Sequence, residues 1–257
     1  MRVNLQPAYV IHSRPYRDTS ALLDVFTAEY GRINLVARGT RRQSRRGSAA
    51  ALLQPFTPLL LSFSGRAELK TLVAAEPAQT RVTLRGEQMF SGMYLNELIV
   101  RLLHRNDAHP ALFAAYDDAV KALSATSEVD TVLRRFEFVL LEQLGYSFNL
   151  LVDAATGMPV QVDVLYRYEP GVGMLASCPH RDTLQTTVFG ADLVAMAAGD
   201  FTGSARLAAK RLLRAALAEH LGGAKLRSRE LFRAAGGSSD AVISALVVAA
   251  ADKGEQS

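Results

Sequence analysis

The chain has one cysteine, no tryptophan and no long apolar run, and each shortage excludes something. Cys178 alone builds no disulfide framework, no Cys₄ site and no Cys₂His₂ site, so a reducing compartment is the simplest setting. The five histidines, His12, His104, His109, His180 and His220, show no metal-ligand spacing. Without Trp, any stacking on a nucleobase falls to Tyr, Phe or Arg. No stretch reaches the roughly 18–20 apolar residues of a membrane span. The N-terminal sequence M-R-V-N-L-Q-P-A-Y carries no apolar stretch of signal-peptide length. A cytoplasmic setting without a membrane partner is expected. Also missing are a phosphate-binding Gly-Lys-Ser/Thr loop, a G-x-S-x-G turn, an H-E-x-x-H pair and the acid clusters of two-metal chemistry. These absences point to a binding protein, with no catalytic residue, no cofactor and no metal expected.

What is present is enough for a folded protein. Of 257 residues, 49% are hydrophobic and 21% charged, which supplies a core and an ordinary surface. The net charge of +4 is unevenly spread. Residues 1–80 hold 11 Lys+Arg against 5 Asp+Glu, a net of +6; the remaining 177 hold 18 against 20, a net of −2. The N-terminal third therefore suits a polyanionic partner. Within it, residues 31–47 read G-R-I-N-L-V-A-R-G-T-R-R-Q-S-R-R-G. The first half alternates as a strand, with Ile33, Leu35 and Ala37 on one side and Arg32, Asn34, Val36 and Arg38 on the other. The second half has no apolar residue. Arg38, Arg41, Arg42, Arg45 and Arg46 follow one another without an acid. Such a run is either a solvated loop or a polyanion contact.

Strand signals continue on both sides, at 8–14, 20–27, 32–38, 59–63 and 68–76, separated by turn residues. Five short strands suit a small barrel, and the leading five-stranded candidate is the oligonucleotide-binding (OB) fold. After Pro77 the period becomes helical. Helices are expected over 87–104, from Pro110, and from a capping box at Ser127–Asp130 to Gly145, then over 190–198, 204–221 and 228–235. The fold class is therefore α+β: an OB barrel over 1–80, a mainly helical domain over 81–236, and a linker and tail over 237–257. Residues 148–180 are irregular, with a hairpin expected about the turn-like run 169–173. Arg206, Lys210 and Arg214 recur every four residues and share a helix face.

Taken together, A-Y-V-I-H-S-R-P-Y-R-D-T-S (8–20), L-D-V-F-T-A-E-Y-G-R-I-N-L-V-A-R-G (23–39), L-Q-P-F-T-P-L-L-L (53–61), S-G-M-Y-L-N-E-L (91–98), L-R-R-F-E (133–137) and L-G-G-A-K-L-R-S-R-E-L-F (221–232) resemble the bacterial recombination-mediator family RecO. The resemblance implies an OB fold followed by a helical domain, and a non-enzymatic role in DNA repair and recombination. It implies binding of single- and double-stranded DNA, annealing of complementary strands, and loading of RecA with RecR onto DNA coated by single-strand-binding protein (SSB). It also implies a grip on the acidic C-terminal tail of SSB, and a nucleoid-associated location. Some members carry a Cys₄ zinc site in the region matching 148–180. Here Asp153 and Ala154 stand near the place of a first cysteine, so no zinc is expected and packing must hold that segment.

On this reading Arg32, Arg38, Arg41, Arg42, Arg45 and Arg46 would track a DNA backbone, because the arginine fork matches two phosphate oxygens. Arg14, Arg17, Arg66 and Lys70 would form its rim. Tyr9, Tyr16, Phe26 and Tyr30 suit stacking, though alternation suits Phe26 equally to the core and Tyr30 equally closes a turn, and no choice is made among them. Arg134, the first choice by the resemblance, and Arg135 would meet the SSB tail, unless they pair internally with Glu137 or Glu142 or line a solvated helix edge. Arg206, Lys210 and Arg214, with Lys225, Arg227 and Arg229, form a secondary basic surface. An RNA-binding OB protein, such as a ribosome-associated factor, fits the basic loop equally well.

Overall fold

The computed structural model describes residues 1–40, 49–79, 82–177, 187–222, 226–228 and 230. They form two compact units: Met1–Thr126 with the segment from Leu226, and Ser127–Lys225.

The first unit contains the barrel. Its strands are β1 (Arg2–Tyr16), β2 (Ser20–Thr27), β3 (Gly31–Ala37), β4 (Leu59–Ser64) and β5 (Leu69–Pro77), with a short α1 (Ala49–Leu52) before β4. The order β1-β2-β3-β5-β4 closes on itself, every pairing antiparallel except β3 with β5. This is the OB barrel. The alternation in β3 has its expected inward side: Ile33, Leu35 and Ala37 join Val10, Leu23, Val25, Leu59, Leu61 and Phe63 in the interior. β1 is longer than its apolar centre suggests, and Pro15 lies within it, opposite Ala21.

The helical period does not begin a separate compact unit. α2 (Glu87–Leu102) and α3 (Pro110–Ala125) belong with the barrel. The cause is on the barrel's outer face. Tyr9 and Phe26 are opposite each other in the β1–β2 register, pointing outward, and both are buried. Phe113 and Tyr116 of α3 cover them, with ring centroids 5.1–6.0 Å apart. Polar bonds fix the contact. A bulge between Val10 and His12 disturbs the ladder beside Ile11, whose carbonyl accepts from Asn96 Nδ2 (3.1 Å); Asn96 Oδ1 in turn accepts from Tyr116 Oη (2.6 Å). Tyr9 Oη donates to Asp117. Burial, then that carboxylate, pushes the Tyr9 phenol far above its ordinary range, so it remains a donor.

Glu97 on α2 secures the returning segment 226–230. Its carboxylate accepts from Arg227 N (2.9 Å), Ser228 N (2.8 Å) and Ser228 Oγ (2.7 Å), beside a buried Leu226.

The second unit holds α4 (Val129–Gln143), β6 (Leu165–Glu169), β7 (Gly173–Ala176), β8 (Thr187–Phe189), α5 (Gly190–Ala197) and α6 (Gly203–His220). The expected hairpin is β6–β7, and β8 adds a third strand on the other side of β6. The expected capping box is not formed: α4 starts after Glu128 without a side-chain cap. Asp130 instead faces α6, with Lys210 Nζ at 3.4 Å and Arg206 Nη1 at 3.9 Å. Residues 148–162 are held by packing of Phe148 on Tyr168 (4.6 Å) and also by a buried carboxylate. Asp153 accepts from Ala155 N (2.8 Å) and Ala176 N (3.3 Å), linking the loop to β7. Cys178, residues 41–48, the part of the expected 228–235 helix beyond Glu230 and the expected tail over 237–257 lie outside the described residues.

Burial alone would raise the Glu97 pKa, but the Ser228 and Arg227 amides, the Ser228 hydroxyl and Arg101 outweigh it and hold the group below its usual value. The stabilisation is therefore present above the ordinary carboxylate pKa and is lost as pH falls through the depressed one. Amide-exchange protection factors at Arg227 and Ser228 are expected to collapse in that acid window, and in Glu97→Ala already at neutral pH.

Candidate nucleic-acid interface

The outer face of the barrel divides in two. One half, around Tyr9, Phe26 and Arg32, is covered by α2 and α3. The other half is open among the described residues: Arg14 and Arg38 are exposed, and Leu22, Val36 and Thr71 are half-buried. There the ladder registers form a continuous row, Arg14 opposite Leu22, Leu22 opposite Val36, and Val36 opposite Thr71. Neighbouring strands lie about 4.8 Å apart, so this row spans four strands. A second row begins with Tyr16 opposite Ser20. Arg38 continues it, because it follows Ala37, the partner of Ala21. Arg14, Arg17, Arg38 and Arg66 are exposed and have no ion pair among the described residues. Arg17 lies in the β1–β2 turn and Arg66 in the β4–β5 turn, the two turns that flank the binding face of OB folds. Thr40 Oγ1 reaches Thr19 O at 3.5 Å, tying the start of the basic loop to the β1–β2 turn.

Two of the cations expected on the DNA track are placed differently. Arg32 does not extend an outward basic track. Its Nε and Nη2 donate to Asp24 at 2.8–3.0 Å, and its Nη1 donates to Val100 O and, at 3.3 Å, to Leu103 O. Alternation assigned it to the outer face correctly, but that end of the face lies under α2. A guanidinium there also meets the negative end of the α2 dipole. Lys70 is buried and donates to Asn106 Oδ1 at 3.1 Å, so it is not a rim residue. Arg41, Arg42, Arg45 and Arg46 lie outside the described residues.

In the second unit, Arg134 is buried and paired with Glu137 across one helical turn (2.8 Å), with side-chain exposures of 7% and 0%. Among the described residues its Nε meets no hydrogen-bond acceptor. It is not a basic lip. Arg135 is exposed and donates to Gly199 O at 3.3 Å. Arg206, Lys210 and Arg214 do share an exposed face, but Asp130 partly neutralises the first two. Lys225 and Arg229 lie outside the described residues; the Arg227 amide is bonded to Glu97. The residues that sequence reasoning passed over are Leu22, Val36 and Thr71. Only strand register brings them together. Among the described residues no group of three His, Cys, Asp or Glu side chains gathers as a metal site, and no helix is long and apolar enough to cross a membrane.

A closed five-stranded barrel with an open basic half-face, extended by helices, defines an OB-fold protein with a helical extension. Residues 1–81 match the family described as recombination protein O N terminal, and residues 85–230 the one described as recombination protein O C terminal. The two matches meet where the sequence period changes. Among relatives named DNA repair protein RecO, that of Haemophilus influenzae is 44% identical over 90% of this chain and 97% of its own length. Those of Vibrio cholerae and Methylococcus capsulatus are each 45% identical, over 91% and 90% of this chain and 95% and 94% of theirs. The chain belongs to the RecO family of DNA repair and recombination proteins.

Two substitutions test these placements. Arg32→Ala removes the guanidinium that pairs with Asp24, and Arg134→Ala removes the one that pairs with Glu137. Breaking a buried pair costs on the order of 3–5 kcal/mol. Both are expected to lower the urea midpoint sharply, while Arg14→Ala and Arg135→Ala stay within about 0.5 kcal/mol of the parent. Replacing the pair together, Arg134→Met with Glu137→Leu, is expected to recover most of the loss.

Proposed function

We propose that the chain is a non-catalytic recombination mediator of the cytoplasm, associated with the nucleoid. On this reading it binds single- and double-stranded DNA, anneals complementary strands, and with RecR helps load RecA onto SSB-coated DNA. The observation that carries the reading is the open half-face, where Arg14 and Arg38 lie in the rows that hold a strip of aliphatic and hydroxyl side chains, with Arg17 in the β1–β2 turn and Arg66 in the β4–β5 turn. Arginine forks bind phosphates, and the Leu22–Val36–Thr71 strip accepts sugars and base edges without choosing a sequence. The barrel carries Arg14 on β1, Arg38 directly follows β3, and the sequence runs on from Arg38 into the arginines of 41–48.

Annealing requires two polyanions to approach, so charge screening by this half-face and the basic run is the physical contribution expected of it. The SSB tail, acidic and apolar, would be met in the second unit by Arg135, the exposed member of the arginine pair. The secondary surface is then represented by Arg214, with Arg206 and Lys210 weakened by Asp130.

The test is anisotropy titration of labelled single-stranded DNA, duplex and RNA across a salt series. Arg14→Ala, Arg38→Ala and Arg66→Ala combined are expected to weaken binding to both DNA forms and flatten the salt slope, by roughly one unit per lost phosphate contact. An unchanged slope in the folded variant overturns the assignment of the face. RNA binding tighter than DNA in the same titration favours the ribosome-associated alternative. Annealing of SSB-coated strands, with and without the SSB tail, tests the mediator role.

A further inference from the structure

Folding withdraws three of the four barrel aromatics whose sequence positions suit stacking. Tyr9 and Phe26 lie buried beneath Phe113 and Tyr116. Tyr30 stands edge-on to Phe63, centroids 5.6 Å apart, against the barrel interior. Tyr16 is different. It is half-buried, and its pairing with Ser20, two residues on from the Arg14–Leu22 pair, sets it on the open half of the outer face. Among the described residues it is the aromatic of that half-face.

Its ring already serves as a stacking surface. The Arg17 guanidinium lies over it, Cζ 5.2 Å from the centroid. Arg17 holds that place with φ +52, a left-handed backbone conformation that non-glycine residues seldom adopt. Strain of this kind persists where surrounding structure enforces it, and an observed outlier is a fair starting point for a functional reading. The neighbours Leu22, Val36 and Thr71 offer no π surface.

We infer that Tyr16, with Arg17, is the base-stacking element of the barrel and gives it a preference for single strands over duplex. The inference rests on the reading of the open half-face as the oligonucleotide site. Phosphates are available in both forms of DNA, so Arg14, Arg38 and Arg66 bind both. Base faces are available only in a single strand. A base laid against the Tyr16 ring takes up the planar surface that Arg17 occupies, and the displaced guanidinium meets the adjoining phosphate.

Because the chain has no tryptophan, Tyr16→Trp introduces the sole indole. Its fluorescence is expected to be quenched by oligo(dT) and to change little with a blunt duplex of equal length. Tyr16→Ser is expected to weaken single-strand binding by roughly 5- to 150-fold, the equivalent of one lost base stack. Duplex affinity should change less than about twofold and the salt slope not at all. Tyr16→Phe should retain the single-strand preference, since the ring and not the hydroxyl carries it. Equal losses for single strand and duplex in Tyr16→Ser, or no loss in either, overturn the inference while leaving the face assignment standing. Failure of the parent protein to bind any DNA overturns both.

Discussion

The Arg32 guanidinium is where three elements meet. One edge of its fork grips Asp24 on the neighbouring strand, and the other reaches the last carbonyls of α2. Carbonyls at a helix C-terminus have no intrahelical donors, so a buried cation there satisfies groups that would otherwise be costly. The same contact brings the segment after α2 alongside β3: Asn106 N donates to Arg32 O, and the Asp107 carbonyl crowds the site where a side chain on Gly31 would stand. Gly31 has φ +61, so a larger residue there meets both strain and a clash. The barrel, α2 and α3 are thus joined by a charge as well as by an apolar surface.

This arrangement divides the work of a single sheet. Alternate residues of β2 and β3 face outward, as do those of β1 on either side of its bulge. Toward one end those residues are Tyr9, Phe26 and Arg32, which hold the helices. Toward the other they are Arg14, Tyr16, Leu22, Val36 and Arg38, which remain available. Anchoring and binding therefore share the same strands, a few residues apart. Between the two ends His12, Asp24 and Asn34 form a polar row that separates Tyr9 and Phe26 from the basic residues.

The sequence made much of this legible because alternation and helical spacing are local signals. The core sides of β3 and α3 follow from period alone: Ile33, Leu35, Ala37, Leu112, Tyr116, Val120 and Leu123 are all buried. What was not legible depends on partners distant in the chain. Arg32 and Arg38 look equivalent on one strand face, and only the position of α2 separates them. Arg134 and Arg135 look like one basic pair, yet adjacent helical residues point about 100° apart, so one is buried against Glu137 and the other exposed. The Ser127–Asp130 spacing satisfied a local rule, but α6 offered Asp130 two cations instead. Register between strands, which places Leu22 beside Val36 and Thr71, has no signature in either strand alone.

The Glu97 grip on Arg227 and Ser228 has a topological meaning. The chain leaves the first unit after Thr126 and re-enters it at Leu226, so the second unit is an insertion, secured at both ends to the same body. Closing a loop of that length costs little more than closing one half as long, since the entropy grows only logarithmically. A few hydrogen bonds to one carboxylate are enough to keep it closed. A pull on the distal chain would therefore reach the barrel through Glu97 and α2 before it loaded the inserted unit, and mechanical or proteolytic damage to the insertion need not unravel the DNA-repair protein's N-terminal barrel.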